Sequence, residues 1–259
     1  MEFHKFIHDE SQVKKFISIL APLKGDEQYF VSMSARNKYL TDEERKFYGL
    51  GRTEMFARKL VKKTNRNDMT IEQLYMRTLK MMQVSEGGYT SRDGKNLPTK
   101  CMVVYANVNP VSGFKALKEF QSKISSLIFD TCTDPSAILR VQTLDTLLMN
   151  CYQRARSVKY LIDIDFDMPD EGIDVLVKFI KQIKEREVEH HIIKTRSGFH
   201  VLMKRDTLKF NYTELVKEAN KKAVGRFGKD HIEVAINTNE MVPVPGTMQA
   251  DFPVQFIEI

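Results

Sequence analysis

The sequence is short of cysteine, with three in 259 residues, at positions 101, 132 and 151. Their wide spacing forms neither a disulfide framework nor a CxxC zinc motif, so a secreted disulfide scaffold and a zinc ribbon are not expected. No apolar run approaches the roughly 20 residues that span a bilayer. The opening Met-Glu-Phe-His-Lys-Phe carries charge where a signal peptide would place its apolar segment. These absences predict an intracellular protein without membrane association. No internal repeat, low-complexity tract or basic tail interrupts the chain, which argues against a solenoid or a disordered arm.

What is present is a mild excess of positive charge, 40 Lys and Arg against 34 Asp and Glu, a balance that suits an anionic partner such as nucleic acid or nucleotide. The periodicities alternate between helix and strand. An amphipathic segment within residues 1–25 precedes a strand at Tyr29–Ser34. That strand leads into Arg36 and Lys38, which read either as phosphate contacts or as a solvated turn. Capping boxes at Thr41/Glu44 and Thr70/Gln73 open two helices, the first expected to run into Met55-Phe56-Ala57 across Gly49 and Gly51. An exposed loop is expected at 87–98, then a strand at 101–107, a helix carrying Phe114 to Leu127, and another after Pro135. From residue 158 the predicted order is β-α-β-β-α-β, closed by Pro245-Gly246-Thr247 and a last strand to Ile259. The class is α+β.

The most informative stretch is Leu161-Ile162-Asp163-Ile164-Asp165-Phe166-Asp167. Alternate side chains of a strand point the same way, so Asp163 and Asp165 share one face while Ile162, Ile164 and Phe166 share the other. Two adjacent carboxylates on a buried strand repel unless a cation compensates them, and an oxygen-preferring Mg²⁺ or Mn²⁺ is the simplest one. The competing reading is a strand that runs out into a solvated acidic loop with Asp170 and Glu171.

Three features follow in order: Leu161-Ile162-Asp163-Ile164-Asp165, then Lys194-Thr195-Arg196-Ser197-Gly198-Phe199-His200, then Ile232-Glu233 with Thr238-Asn239 and Pro245-Gly246-Thr247. Together they resemble the motifs of the archaeo-eukaryotic primase superfamily: a hhDhD strand, a small-x-His turn and a third hydrophobic-acidic strand ahead of a Pro-Gly-Thr element. The resemblance covers roughly the last hundred residues. It implies an N-terminal α/β module at 1–150 packed on an RRM-like catalytic half at 151–259. It also implies a DNA primase or primase-polymerase using two metals, Mg²⁺ or Mn²⁺. Asp163, Asp165 and Glu233 would be metal ligands and catalytic residues, and Lys194, Arg196, Ser197, Gly198 and His200 would bind nucleotide. The implied partners are a single-stranded DNA template, nucleoside triphosphates and separately encoded replication proteins such as a helicase, in a phage or plasmid setting.

The sequence departs from the pattern twice. The third acid is Glu233 where Asp is usual, with Asp230 and Asp251 as competitors, and Val242-Pro243-Val244 stands where relatives carry an arginine. These departures keep a catalytically silent module that binds single-stranded nucleic acid or a replication partner as the alternative. A metal-dependent nuclease is a third reading. His190-His191 does not match the His-hydrophobic-His spacing of rolling-circle endonucleases.

Overall fold

A computed structural model describes residues 6–62, 69–83, 88–91, 93–228 and 232–259. Helix α1 (Glu10–Ile19) is capped by Asp9, whose carboxylate accepts from the Ser11 and Gln12 amides. It buries Val13, Phe16 and Ile17, and of the segment expected within 1–25 residues 1–5 lie outside the described residues. Strand β1 (Glu27–Arg36) is buried along nearly its whole length.

The Thr41/Glu44 capping box forms as expected, but helix α2 (Asp42–Tyr48) ends at Gly49, whose φ of 61° supplies the left-handed stop. Met55, Phe56 and Ala57 therefore lie in strand β2 (Thr53–Val61), paired antiparallel to β1, and not in a continuing helix. Their apolar run suits either element, and pairing with β1 decides for the strand. The second box caps helix α3 (Ile71–Met82), which buries Tyr75, Met76, Leu79 and Met82. The described part of the expected loop is less exposed than its composition suggests, since Ser91 and Leu97 are buried.

Strands β3 (Met102–Asn107) and β4 (Val111–Ser112) lead to helix α4 (Gly113–Thr133), a run of 3₁₀ turns at Pro135–Thr143 and helix α5 (Leu144–Arg154). Strand β5 (Leu161–Asp167), helix α6 (Ile173–Lys184), strands β6 (His190–Thr195) and β7 (Gly198–Lys204), helix α7 (Tyr212–Phe227) and strand β8 (Glu233–Ile236) give the β-α-β-β-α-β order. The chain closes with short strands β9 (Met241–Pro243), β10 (Met248–Gln249), β11 (Phe252–Pro253) and β12 (Gln255–Ile257).

Among the described residues two five-stranded antiparallel sheets form, beside a small β10-β11 ribbon. One has the order β2-β1-β3-β9, with β4 also on β1, and the other β12-β6-β7-β5-β8. In the second sheet β5 is an interior strand, flanked by β7 and β8. Its even-numbered residues pack with Phe179, Val201 and Leu215 in a core beneath α6 and α7. Its odd-numbered face looks toward the first sheet.

The boundary expected at residue 150 falls inside α5. The two parts are also interleaved, because β9 from the second half completes the first sheet and one hydrophobic cluster joins Phe6, Phe16 and Val104 to Leu161, Leu202, Val254 and Phe256.

Candidate functional site

The sheets face each other across an open cleft of about 540 Å³. One wall comes from the ends of β1 and β2 and carries Arg36, Lys38 and Arg52. The other comes from β5, β7 and β8 and carries Asp165, Asp167, His200 and Glu233. Among the described residues no ion pair joins the three cations to the three acids. Lys38 reaches the opposite wall by donating from Nζ to Ser197 Oγ at 3.0 Å.

Strand alternation does put Asp163 and Asp165 on one face, but their surroundings differ. Asp163 is fully buried. Its Oδ1 accepts from His200 Nδ1 at 3.0 Å, its Oδ2 accepts from Asn237 Nδ2 at 2.6 Å, and its carbonyl accepts from the Asn237 amide at 2.9 Å. Asp165 lies beside it with 44 % of its side chain open to the cleft, and His200 Nε2 stands 3.8 Å from its Oδ1. The same period of two adds Asp167, which is exposed and sits opposite Glu233 in the β5–β8 register. The available carboxylates are thus Asp165, Asp167 and Glu233, one step further along the strand than the motif implies.

The pKa shifts follow this layout. Burial alone would depress the His200 imidazole, but the Asp163 and Asp165 carboxylates and the hydrogen bond to Asp163 reverse this and raise its pKa to about 9. His200 is therefore a cation at neutral pH, held by Asp163 through Nδ1 and directing Nε2 into the cleft. Asp165 is raised from its ordinary value, first by burial between the walls and then by Asp163 and Asp167, against an opposing pull from His200. Lys38 is lowered by burial, and Asp167 and Asp165 resist that.

The predicted nucleotide contacts separate. Ser197 and His200 line the cleft. Lys194 does not: its ammonium lies 3.1 Å from both carboxylate oxygens of Asp170, against the Phe199 ring, on the helix-covered side of the sheet. Arg196 stacks its guanidinium 4.9 Å from the Tyr39 ring centre, and its amide donates to Gln249 Oε1 at 2.8 Å, beside the cleft and not in its lining. Gly198 is required by packing, since a Cβ there would lie 1.8 Å from the Phe166 carbonyl oxygen.

Among the competitors for the third acid, Asp251 sits exposed in the turn between β10 and β11, and Asp230 lies outside the described residues. Pro245-Gly246-Thr247 packs on the N-terminal segment, where the Gly246 carbonyl accepts from the His8 and Asp9 amides at 2.9 and 3.1 Å. Val242, Pro243 and Val244 are buried. The cleft's guanidinium groups come instead from β1 and the β2 entrance, and Arg36 is oriented by its Nη1 contact to Tyr105 Oη at 2.5 Å. Sequence reasoning missed Arg52, Asp167 and Asn237; of these only Asp167 had a signal, the continuing alternation.

The residue chemistry suits a hard divalent cation, since crowded carboxylate oxygens are its usual donors and a cation would offset both the burial and the carboxylate repulsion that raise Asp165. Among the described residues no group of three His, Cys, Asp or Glu side chains is already gathered tightly enough to hold a metal ion. No helix in the described residues is long and apolar enough to cross a membrane. No protein-family model matches the chain, and neither a curated protein nor a solved structure does.

Proposed function

We propose that the chain is a template-directed nucleotidyltransferase of the primase or primase-polymerase type, acting on single-stranded DNA with nucleoside triphosphates. The observation that carries this reading is the two-signed cleft, with Arg36, Lys38 and Arg52 on one wall, Asp165, Asp167 and Glu233 beside His200 on the other and, among the described residues, no ion pair between the three cations of the first wall and the three acids of the second. Charges of opposite sign on facing walls are stabilised by a ligand that presents both signs, and a metal-bound polyphosphate does so. The β8-β5-β7-β6 strand order around the β-α-β-β-α-β run supports an RRM-like half within a primase-type core.

Asp165 and Asp167, with Glu233, would hold Mg²⁺ or Mn²⁺, which when bound supplies charge neutralisation at the phosphates and activation of an attacking hydroxyl. Arg36, Lys38 and Arg52 would bind phosphate oxygens, and the His200 imidazolium would donate from Nε2 to the same group. Asp163 keeps that imidazole charged and oriented.

The test is labelled-nucleotide incorporation on single-stranded DNA with Mn²⁺ or Mg²⁺, with and without primer, for the wild type and the Asp165→Asn, Asp167→Asn double variant. Product without primer that disappears in the variant identifies a primase, and product only with primer identifies a polymerase that another protein must start. A second reading, a catalytically silent single-strand-binding module, is favoured by the absence of a gathered ligand set among the described residues. It prevails if the wild type binds single-stranded DNA yet forms no product under either condition.

A further inference from the structure

Beyond the charged walls the cleft has a neutral end on the first sheet. It is formed by Ser34 on β1, its cross-strand neighbour Met55 on β2, Tyr105 on β3, Met241 on β9 and Gln153 from α5. Ser34 is fully buried, yet its Oγ has no hydrogen-bond partner among the described residues. On the same face of β1, Ser32 is in the same condition further from the cleft. A buried hydroxyl without a partner calls for an explanation, and Ser34, unlike Ser32, lines the cleft, where a ligand can supply the partner. Two thioether side chains, a phenol ring and a few amide or hydroxyl groups make a surface for a flat, hydrogen-bonding ring.

We propose that this neutral end binds the nucleoside of a nucleotide whose phosphates lie between the charged walls, with the Ser34 hydroxyl bonded to a polar edge of that nucleoside. The inference rests on the reading of the cleft as a polyphosphate site. It adds a direction: the nucleotide lies with its phosphates toward β5 and its nucleoside along β1, over Ser34 and Met55. The continuity of one cleft from Asp165 to Ser34 is what allows a single ligand to reach both ends.

The experiment is isothermal titration with Mn²⁺, comparing inorganic triphosphate with a non-hydrolysable nucleoside triphosphate on the wild type and on Ser34→Ala. The wild type should bind the nucleoside triphosphate at least about tenfold tighter than inorganic triphosphate. Ser34→Ala should narrow that margin by roughly three- to tenfold, the scale of one lost hydrogen bond. It should leave the affinity for inorganic triphosphate and the melting temperature unchanged, since no internal bond is lost. Equal wild-type affinity for the two ligands would overturn the proposal, and so would an unchanged margin in Ser34→Ala, the result expected if only a water meets this hydroxyl. Failure of inorganic triphosphate itself to bind would overturn the reading of the charged cleft, and the nucleoside assignment with it.

Discussion

His200 and Asp163 form a buried pair whose members depend on each other. With Asp163 in place the imidazole should titrate near pH 9 by NMR, while His191, depressed by burial, should titrate below the ordinary histidine value. Asp163→Asn should bring the His200 pKa down by more than about one pH unit, because burial then acts without its main opposition. The folded chain holds the His200 proton more tightly than the unfolded chain. The stability this pair contributes in metal-free buffer is thus complete below about pH 6.5 and is lost as pH rises through about 9. A urea midpoint that stayed flat between pH 6 and 10 in the wild type, and matched that of His200→Gln, would contradict this. Removing Asp163 as Ala takes the hydrogen-bonded carboxylate from a buried imidazolium and should cost about 3–5 kcal/mol, whereas Asp165→Ala, at a half-open position, should cost far less. The shared face of the acids was legible from the period of two. That His200 and Asn237 would occupy Asp163 was not, because those contacts span 37 and 74 residues of sequence and depend on how β7 and β8 register against β5.

At the level of elements, local chemistry was readable wherever it is self-sufficient. Both capping boxes form, and the strong apolar stripe of α6 is buried at Val175, Leu176, Phe179, Ile180 and Ile183. It failed at β2, where Met55-Phe56-Ala57 has no periodicity of its own and only pairing to β1 fixes the conformation. Lys194 shows the same limit. A hairpin lysine beside a phosphate-binding motif reads as a ligand contact, but one residue of alternation from Thr195 turns it to the helix side, where Asp170 awaits. Among the described glycines, Gly198 leaves the least room for a Cβ, which would run into the Phe166 carbonyl oxygen. Gly198→Ala should destabilise the fold by about 2–4 kcal/mol in urea titration, by forcing the β5–β7 ladder apart at the end that carries Asp165 and His200. A loss below about 0.5 kcal/mol would mean that the ladder relaxes freely there.

At the level of the whole molecule, the α+β class and the strand-helix order of the second half were legible, but the cleft was not. Its walls belong to different sheets, and nothing local in Arg36 or Arg52 says that Asp167 stands across from them. Arg36→Ala with Lys38→Ala should weaken inorganic triphosphate binding at least about tenfold, and salt should weaken it further in the wild type than in the variant. An equal salt response in the two proteins would place the phosphates elsewhere. The interleaving of the halves also predicts a single cooperative unfolding transition, seen alike by probes in either sheet. It has a further consequence during synthesis on the ribosome. The Phe6 carbonyl accepts from the Met248 amide, the Gln12 side chain accepts from the Phe256 amide, and β3 pairs with β9, so residues 6–12 and β3 close contacts with residues more than 130 positions later in the chain. A nascent chain that has emerged only to α7 has the outer edge of β3 unpaired and α1 packed on α3 but without its contacts to residues 246–256, and those contacts form only when the later strands emerge.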